Sequence, residues 1–358
     1  MGADSKIEWT HHTFNPWRGC SKVSEGCRNC YAETMSGRNP KVLGEWGPNG
    51  TRVVAAENGE SGWAAPVRWD EKAKAAGERH RVFCASLADV FEDWTGPVTA
   101  ANGNPLWWCS GSLSNSPVPA AGLPDGCHLA TMADVRWRLW DLIRDTPNLD
   151  WLLLTKRPQN VLRFVPHDWA ERIYGGFPPN VWLGVSVENQ QTADERIPHL
   201  LKTPAAVRFL SCEPLLGPVE FSNVTRRSDA VEVLGQRALS GIHWVIVGGE
   251  SGKGRRELRV EWVRSLVRQC KAVGVPAFVK QLGHTVVDRN DHFGGASDFG
   301  THWPDTLATF AVEHHIHGFR EDYQGADCRI QLTDPKGGDP AEWPADLRVR
   351  EFPTGGPS

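Results

Sequence analysis

The stretch Val181-Trp-Leu-Gly-Val-Ser-Val-Glu188 decides the fold class. It is a short apolar run that ends in polar residues, and it reads as a strand buried on both faces, the kind a parallel sheet needs. Working outward, runs of the same type recur as Arg81-Val-Phe-Cys-Ala-Ser86, Trp151-Leu-Leu-Leu-Thr155, Val207-Arg-Phe-Leu-Ser211, Trp244-Val-Ile-Val247 and Pro276-Ala-Phe-Val279. Between several of them, as in 132–144 and 260–273, apolar residues return every three or four positions, which predicts helices. Strands alternating with helices predict βαβ units and a parallel α/β sheet.

Each predicted strand runs out into polar residues that a core does not require. They are Ser86 and Asp89, then Thr155, Lys156 and Arg157, then Ser186 and Glu188, then Glu213, then Glu250, then Lys280 and Gln281. The carboxyl ends of parallel strands form the ligand-binding face of α/β folds. Any one of these residues would also serve as a helix cap or a solvent-facing loop residue, but six endings in succession point to a site. Gly248 and Gly249 permit close backbone approach to a ligand, or simply a tight turn. Just beyond them Lys253, Arg255, Arg256 and Arg259 concentrate positive charge that suits phosphate contact, or a solvated loop and helix start.

With 358 residues, 40% hydrophobic and 23% charged, the chain can bury a large core and reads as one domain carrying insertions. The expected core domain spans 1–283, with a Gly-, Pro- and Ser-rich loop insertion at about 102–126. Residues 284–358 read as a C-terminal extension packing on or over it. A net charge of -4 gives no ground for a general electrostatic attraction to nucleic acid or anionic membrane and leaves a local basic groove open. The absence of a long apolar run, with a polar start bearing Asp4, Lys6 and Glu8, predicts no membrane partner and a cytoplasmic location. Seventeen Trp against three Tyr fit either core filling or stacking on a planar substrate.

Nine cysteines make an odd number, and six of them (Cys84, Cys109, Cys127, Cys212, Cys270 and Cys328) are scattered, which is not a disulfide framework. The other three form Cys20-Ser-Lys-Val-Ser-Glu-Gly-Cys27-Arg-Asn-Cys30, a C-x6-C-x2-C spacing in a polar stretch. Three thiolates can hold three corners of a 4Fe-4S cluster and leave the fourth iron open. The alternative is structural zinc, with a fourth ligand from His11, His12, Cys84 or Cys212.

Ile7-Glu-Trp-Thr10, Thr13-Phe-Asn-Pro-Trp-Arg-Gly-Cys20 and Gly26-Cys-Arg-Asn-Cys-Tyr-Ala32 resemble the phage-associated three-cysteine family of radical S-adenosylmethionine (SAM)-like proteins. The likeness continues in Leu153-Leu-Thr-Lys-Arg-Pro158, Gly184-Val-Ser-Val-Glu-Asn189, Ser211-Cys-Glu-Pro-Leu215, Val247-Gly-Gly-Glu-Ser251, Val279-Lys-Gln-Leu-Gly283 and Lys336-Gly-Gly-Asp-Pro340. It therefore covers most of the chain. The resemblance implies a partial (βα)6 TIM-like barrel of the radical SAM type, with a 4Fe-4S cluster on Cys20, Cys27 and Cys30 in the loop after the first strand. The usual radical SAM motif is C-x3-C-x2-C, so three additional residues separate the first two cysteines here. It implies SAM as cofactor, an external electron donor such as a flavodoxin, and reductive cleavage to a 5′-deoxyadenosyl radical.

Tyr31 is the candidate adenine contact, Ser86 and Asp89 the contacts to the SAM amine, and Ser186 and Glu188 those to the ribose. Gly248 and Gly249 would approach the cofactor. Lys156, Arg157, Glu213, Glu250, Lys280 and Gln281 would serve the SAM carboxylate or the substrate. The substrate implied is an amino-acid-decorated thymine in phage DNA, isomerised or rearranged in the host cytoplasm, with DNA as the partner. A peptide or small-molecule substrate, or a zinc-stabilised module without catalysis, are the competing expectations.

Overall fold

Seven parallel strands build the main sheet and follow one another across it in chain order. They are β1 (His12–Thr13), β2 (His80–Cys84), β3 (Leu149–Thr155), β4 (Val181–Ser186), β5 (Val207–Cys212), β6 (Trp244–Gly248) and β7 (Ala277–Gln281). The computed structural model describes residues 5–353 apart from 120, 172, 174, 228–230, 234–238, 253, 290–302 and 304–326. The main helices are α1 (Tyr31–Ser36), α2 (Ala65–Ala76), α3 (Met132–Asp145), α4 (Gln190–Lys202) and α5 (Val260–Val273).

This arrangement corrects the expected fold. The α/β class holds and all six predicted strands are present, but the six-stranded radical SAM barrel is not what the chain forms. A seventh strand, β1, precedes the others, and among the described residues the edge strands β1 and β7 do not pair with each other. With two residues, β1 is too short to carry an apolar run. It is held by its parallel register with β2, His12 beside Val82 and Thr13 beside Phe83.

The chain divides into two compact units, one of residues up to Val185 with Lys202–Arg208, the other of Ser186–Leu201 with residues from Phe209 onward. In the first unit β3 is buried along almost its whole length, and Leu152 and Leu153 are fully enclosed. α3 starts at a capping box, the Asp134 carboxylate accepting from the Thr131 backbone N–H at 2.7 Å. Trp9, Trp17, Trp140, Trp151 and Trp169 are nearly inaccessible to solvent, which assigns them to core filling. A small second sheet joins Trp17–Arg18, Arg52–Val54 and Val98–Thr99.

The insertion is more ordered than its composition suggested. Trp107–Cys109 pairs antiparallel with Ser112–Ser114 and with His128–Leu129. Ser110 and Gly111 both take positive φ, 49° and 83°, as a two-residue hairpin turn requires. Cys109 and Cys127 form a disulfide, so the scattered cysteines do include one bridge.

In the second unit β5, β6 and β7 run in parallel register, and Leu258–Arg259, Thr285–Arg289 and Asp327–Gln331 form a further sheet. The C-terminal stretch lies along β7: the Val279 N–H donates to Val349 O at 2.8 Å and the Glu351 N–H to Ala277 O at 2.9 Å. Trp343 and Trp244 are buried beside it, and the Trp244 indole donates to Glu351 O at 2.8 Å. No described helix is long and apolar enough to cross a membrane.

Candidate functional site

The cysteine loop leaves β1, passes through Trp17–Arg18 and turns at Gly19. There φ is +107° and an added Cβ would meet Thr51 O at 2.5 Å, so only glycine fits ahead of Cys20. Cys27 closes a short turn of 3-10 helix, Glu25–Cys27, and Cys30 immediately precedes α1. All three thiols are free and partly exposed.

Beneath the loop, the ends of β2 and β3 supply a buried ionic network. The Asp89 carboxylate accepts from the Thr155 hydroxyl at 2.7 Å, the Lys156 N–H at 3.1 Å, the Phe91 N–H at 3.0 Å and Arg157 Nη1 at 2.9 Å. Arg157 in turn reaches the loop: Nη1 lies 3.6 Å from Cys20 Sγ and Nη2 donates to Ser21 O at 2.7 Å. Burial, and after it the charges of Glu92 and Asp89, pushes the Cys20 thiol up to about 12, with Arg157 opposing. Burial works against the Arg157 charge as well, but Asp89, Cys20 and Glu92 hold the guanidinium firmly protonated. Burial also raises Cys30, and the Lys156 charge acts the other way. Tyr31 is half-exposed, and its hydroxyl donates to Ser86 O at 2.6 Å, fixing the start of α1 to the end of β2. The Ser86 hydroxyl is itself buried against Asn15, whose Nδ2 lies 3.1 Å away. Asp89 and Arg157 thus bind each other, Arg157 also binds the loop, and Ser86 is engaged by Asn15 and Tyr31.

The second unit gathers the remaining strand-end residues into ion pairs. Glu188 is fully buried with Arg196, Nη1 to Oε2 at 2.8 Å, and the same nitrogen donates to Ser186 O at 2.7 Å. Through Arg196, Glu188 ties α4 to the end of β4. Arg256 grips Glu250 through Nη2 at 2.7 Å and Nε at 3.1 Å. Arg255 donates to Gly252 O at 3.1 Å, Arg259 lies 3.7 Å from Glu261, and Lys253 lies outside the described residues. Gln281 donates to Gly249 O at 2.9 Å, and a Cβ on Gly249 would meet Leu282 O at 2.3 Å. Lys280 and Glu213, 2.8 Å apart, form a partly exposed pair, and a Cβ on Gly248 would meet Glu213 Oε1 at 2.7 Å.

Among the described residues no three His, Cys, Asp or Glu side chains converge as metal ligands, so the three thiols are not drawn to one point. As a donor set they still suit an iron–sulfur cluster: three free thiols in eleven residues, with a guanidinium beside one of them. The zinc alternative loses several of its fourth ligands. His11 Nδ1 accepts from the Arg81 N–H at 2.8 Å, His12 Nε2 lies 3.1 Å from His80 Nδ1, and Cys84 is enclosed in β2. Sequence reading missed Arg52 and Glu92, both fully buried and paired at 2.8 Å under the loop. The one available signal was an acid directly after the apolar pair Val90-Phe91.

Fold and site together define a parallel α/β protein whose first unit carries a three-cysteine loop at the carboxyl ends of its strands. The chain belongs to the family described as "Protein of unknown function (DUF5131)", whose model matches residues 4–101 and 104–319. No curated protein and no solved structure matches it.

Proposed function

We propose that the protein is a radical SAM enzyme whose Cys20, Cys27 and Cys30 hold a 4Fe-4S cluster. The observation that carries this reading is the trio of free thiols in one short loop, with Arg157 held by Asp89 against Cys20. Bound there, a cluster with three protein ligands would leave one iron for the amine and carboxylate of SAM and pass on the electron that cleaves the sulfonium.

The chain's own residues then have definable tasks. Arg157 offsets the negative charge that burial makes costly at Cys20. Asp89 orients Arg157 and is spent in doing so. Tyr31, half-exposed next in sequence to Cys30 and tied to Ser86 through its hydroxyl, remains the adenine candidate. In the second unit Glu213 and Lys280 are the candidates for charged groups of the substrate, because a pair that is partly exposed can exchange partners at modest cost.

For the substrate, an amino-acid-decorated thymine rests on the family resemblance. The engagement of Arg256 by Glu250 favours the second reading, a peptide or small molecule, because it occupies one of the guanidinium forks at that turn. Iron and sulfide analysis after anaerobic purification tests the cofactor. Incubation with SAM and dithionite, scored for 5′-deoxyadenosine and for altered nucleosides in supplied modified DNA, tests the reaction and the substrate. Stoichiometric zinc without iron or sulfide would instead identify the non-catalytic module.

A further inference from the structure

We propose that the buried Arg52–Glu92 pair is a positioning device that fixes Cys20 by gripping the residue that follows it. Every polar group of Ser21 is held by a charged side chain of the first unit. Its N–H donates to Glu92 Oε1 at 2.8 Å, its hydroxyl accepts from Arg52 Nη2 at 3.0 Å, and its carbonyl accepts from Arg157 Nη2 at 2.7 Å. Glu92 joins the two arginines, bonding Arg52 Nε at 2.8 Å and standing 3.4 Å from Arg157 Nη2.

Arg52 also reaches the neighbouring loop. It donates to the carbonyls of Glu45 and Gly50 at 3.3 Å and of Gly47 at 3.2 Å, and the Gly47 N–H donates back to Cys20 O at 2.9 Å. Two loops are thereby clamped around one cysteine. Cys27 and Cys30 are held differently, by local helical bonds such as Arg28 N–H to Glu25 O at 3.0 Å and Thr34 N–H to Cys30 O at 3.1 Å. A fully buried ion pair adds little net stability compared with apolar packing, so stability alone does not account for placing one here. Fixing the register of a loop does account for it, because a fully satisfied buried network holds the loop's polar groups in one arrangement. The geometry of the clamp stands by itself, and its consequence for a metal ligand rests on the function proposed above.

The test is hydrogen exchange of the metal-free protein at Ser21 and the adjoining residues, in wild type, Glu92→Ala and Ser21→Ala. Exchange of the segment after Cys20 is expected to quicken on the order of tenfold in Glu92→Ala and by less in Ser21→Ala, while Tyr31–Ser36 stays as in wild type. Unchanged protection in both variants, or an equal rise along the whole loop, would overturn the clamp. If Glu92→Ala fails to fold, Ser21→Ala still decides, since it removes only the hydroxyl that Arg52 grips. The same variants reconstituted anaerobically should keep their iron but show an altered electron paramagnetic resonance spectrum. Failure of wild type to take up iron would sink the cluster reading while leaving the exchange result to judge the clamp.

Discussion

Glu188→Gln separates two roles that its position at a strand end allows. As a ribose acceptor Glu188 would face a ligand, and its replacement would weaken SAM binding with little effect on folding. In the structure its carboxylate is fully buried, and Arg196 Nη1 lies 2.8 Å from Oε2 and 2.7 Å from Ser186 O. Gln keeps the size and one carbonyl acceptor but removes the charge, leaving the Arg196 guanidinium buried among neutral groups. Removing one member of a buried pair costs about 3–5 kcal/mol. With an acceptor retained, about 2–3 kcal/mol is expected. At about 2–4 °C per kcal/mol for a unit of this size, the unfolding midpoint should fall by about 4–12 °C. Thermal unfolding followed by circular dichroism, with and without SAM, measures it, and SAM affinity is measured separately in the cold. A midpoint within about 1 °C of wild type together with a tenfold loss of SAM affinity would refute the pairing role and restore the ribose role.

Cys20→Ala, Cys27→Ala and Cys30→Ala should each abolish iron binding and SAM cleavage, whereas Cys84→Ala and Cys270→Ala should retain both; full iron in Cys27→Ala would remove the cluster assignment. Burial first, then the charges of Arg81 and His80, push the His11 imidazole down to about 4, with Glu78 opposing. The unfolded chain therefore takes up the proton first, so this contribution is complete above the ordinary value near 6.5 and is lost as the pH falls towards 4. Allowing for its partial exposure, His11→Gln should flatten the pH dependence of denaturant unfolding in that window by roughly 1–2 kcal/mol, and an unchanged slope would count against it. Gly249→Ala drives a Cβ onto the Leu282 backbone and should cost about 1–3 kcal/mol, more than Gly248→Ala, where the mobile Glu213 carboxylate can yield; the reverse order in urea denaturation would contradict the packing.

The six longer strands were legible because each is a short apolar run of strand length bounded by polar or turn residues, as a strand covered on both faces requires. β1 was not, since two residues beside Phe14 carry no period, and its place comes from pairing with β2, distant in sequence. The hairpin in the insertion was hidden for another reason: its strands are only three residues long and partly exposed, and only Ser110-Gly111 marks the turn. In the site, the cysteine loop was visible because its spacing is local. Arg52 and Glu92 were not, because their meeting depends on a sheet contact and a loop return far apart in the chain.

Strand-end charges announce themselves in the sequence, but which of them are spent on one another is settled only by folding. Asp89 with Arg157, Glu188 with Arg196 and Glu250 with Arg256 neutralise each other, and each of these acids is buried. Exchanging such a partner for a ligand would uncover a desolvated charge, at a cost of several kcal/mol. Glu213 and Lys280 differ, with side-chain exposures of 14% and 24%. Water already reaches this pair, so a ligand carrying both an amine and an acid could replace each ion's partner without stranding either charge. Within the second unit it is the strand-end pair best suited to recognition, while the network under Cys20 in the first unit is built to hold a loop still.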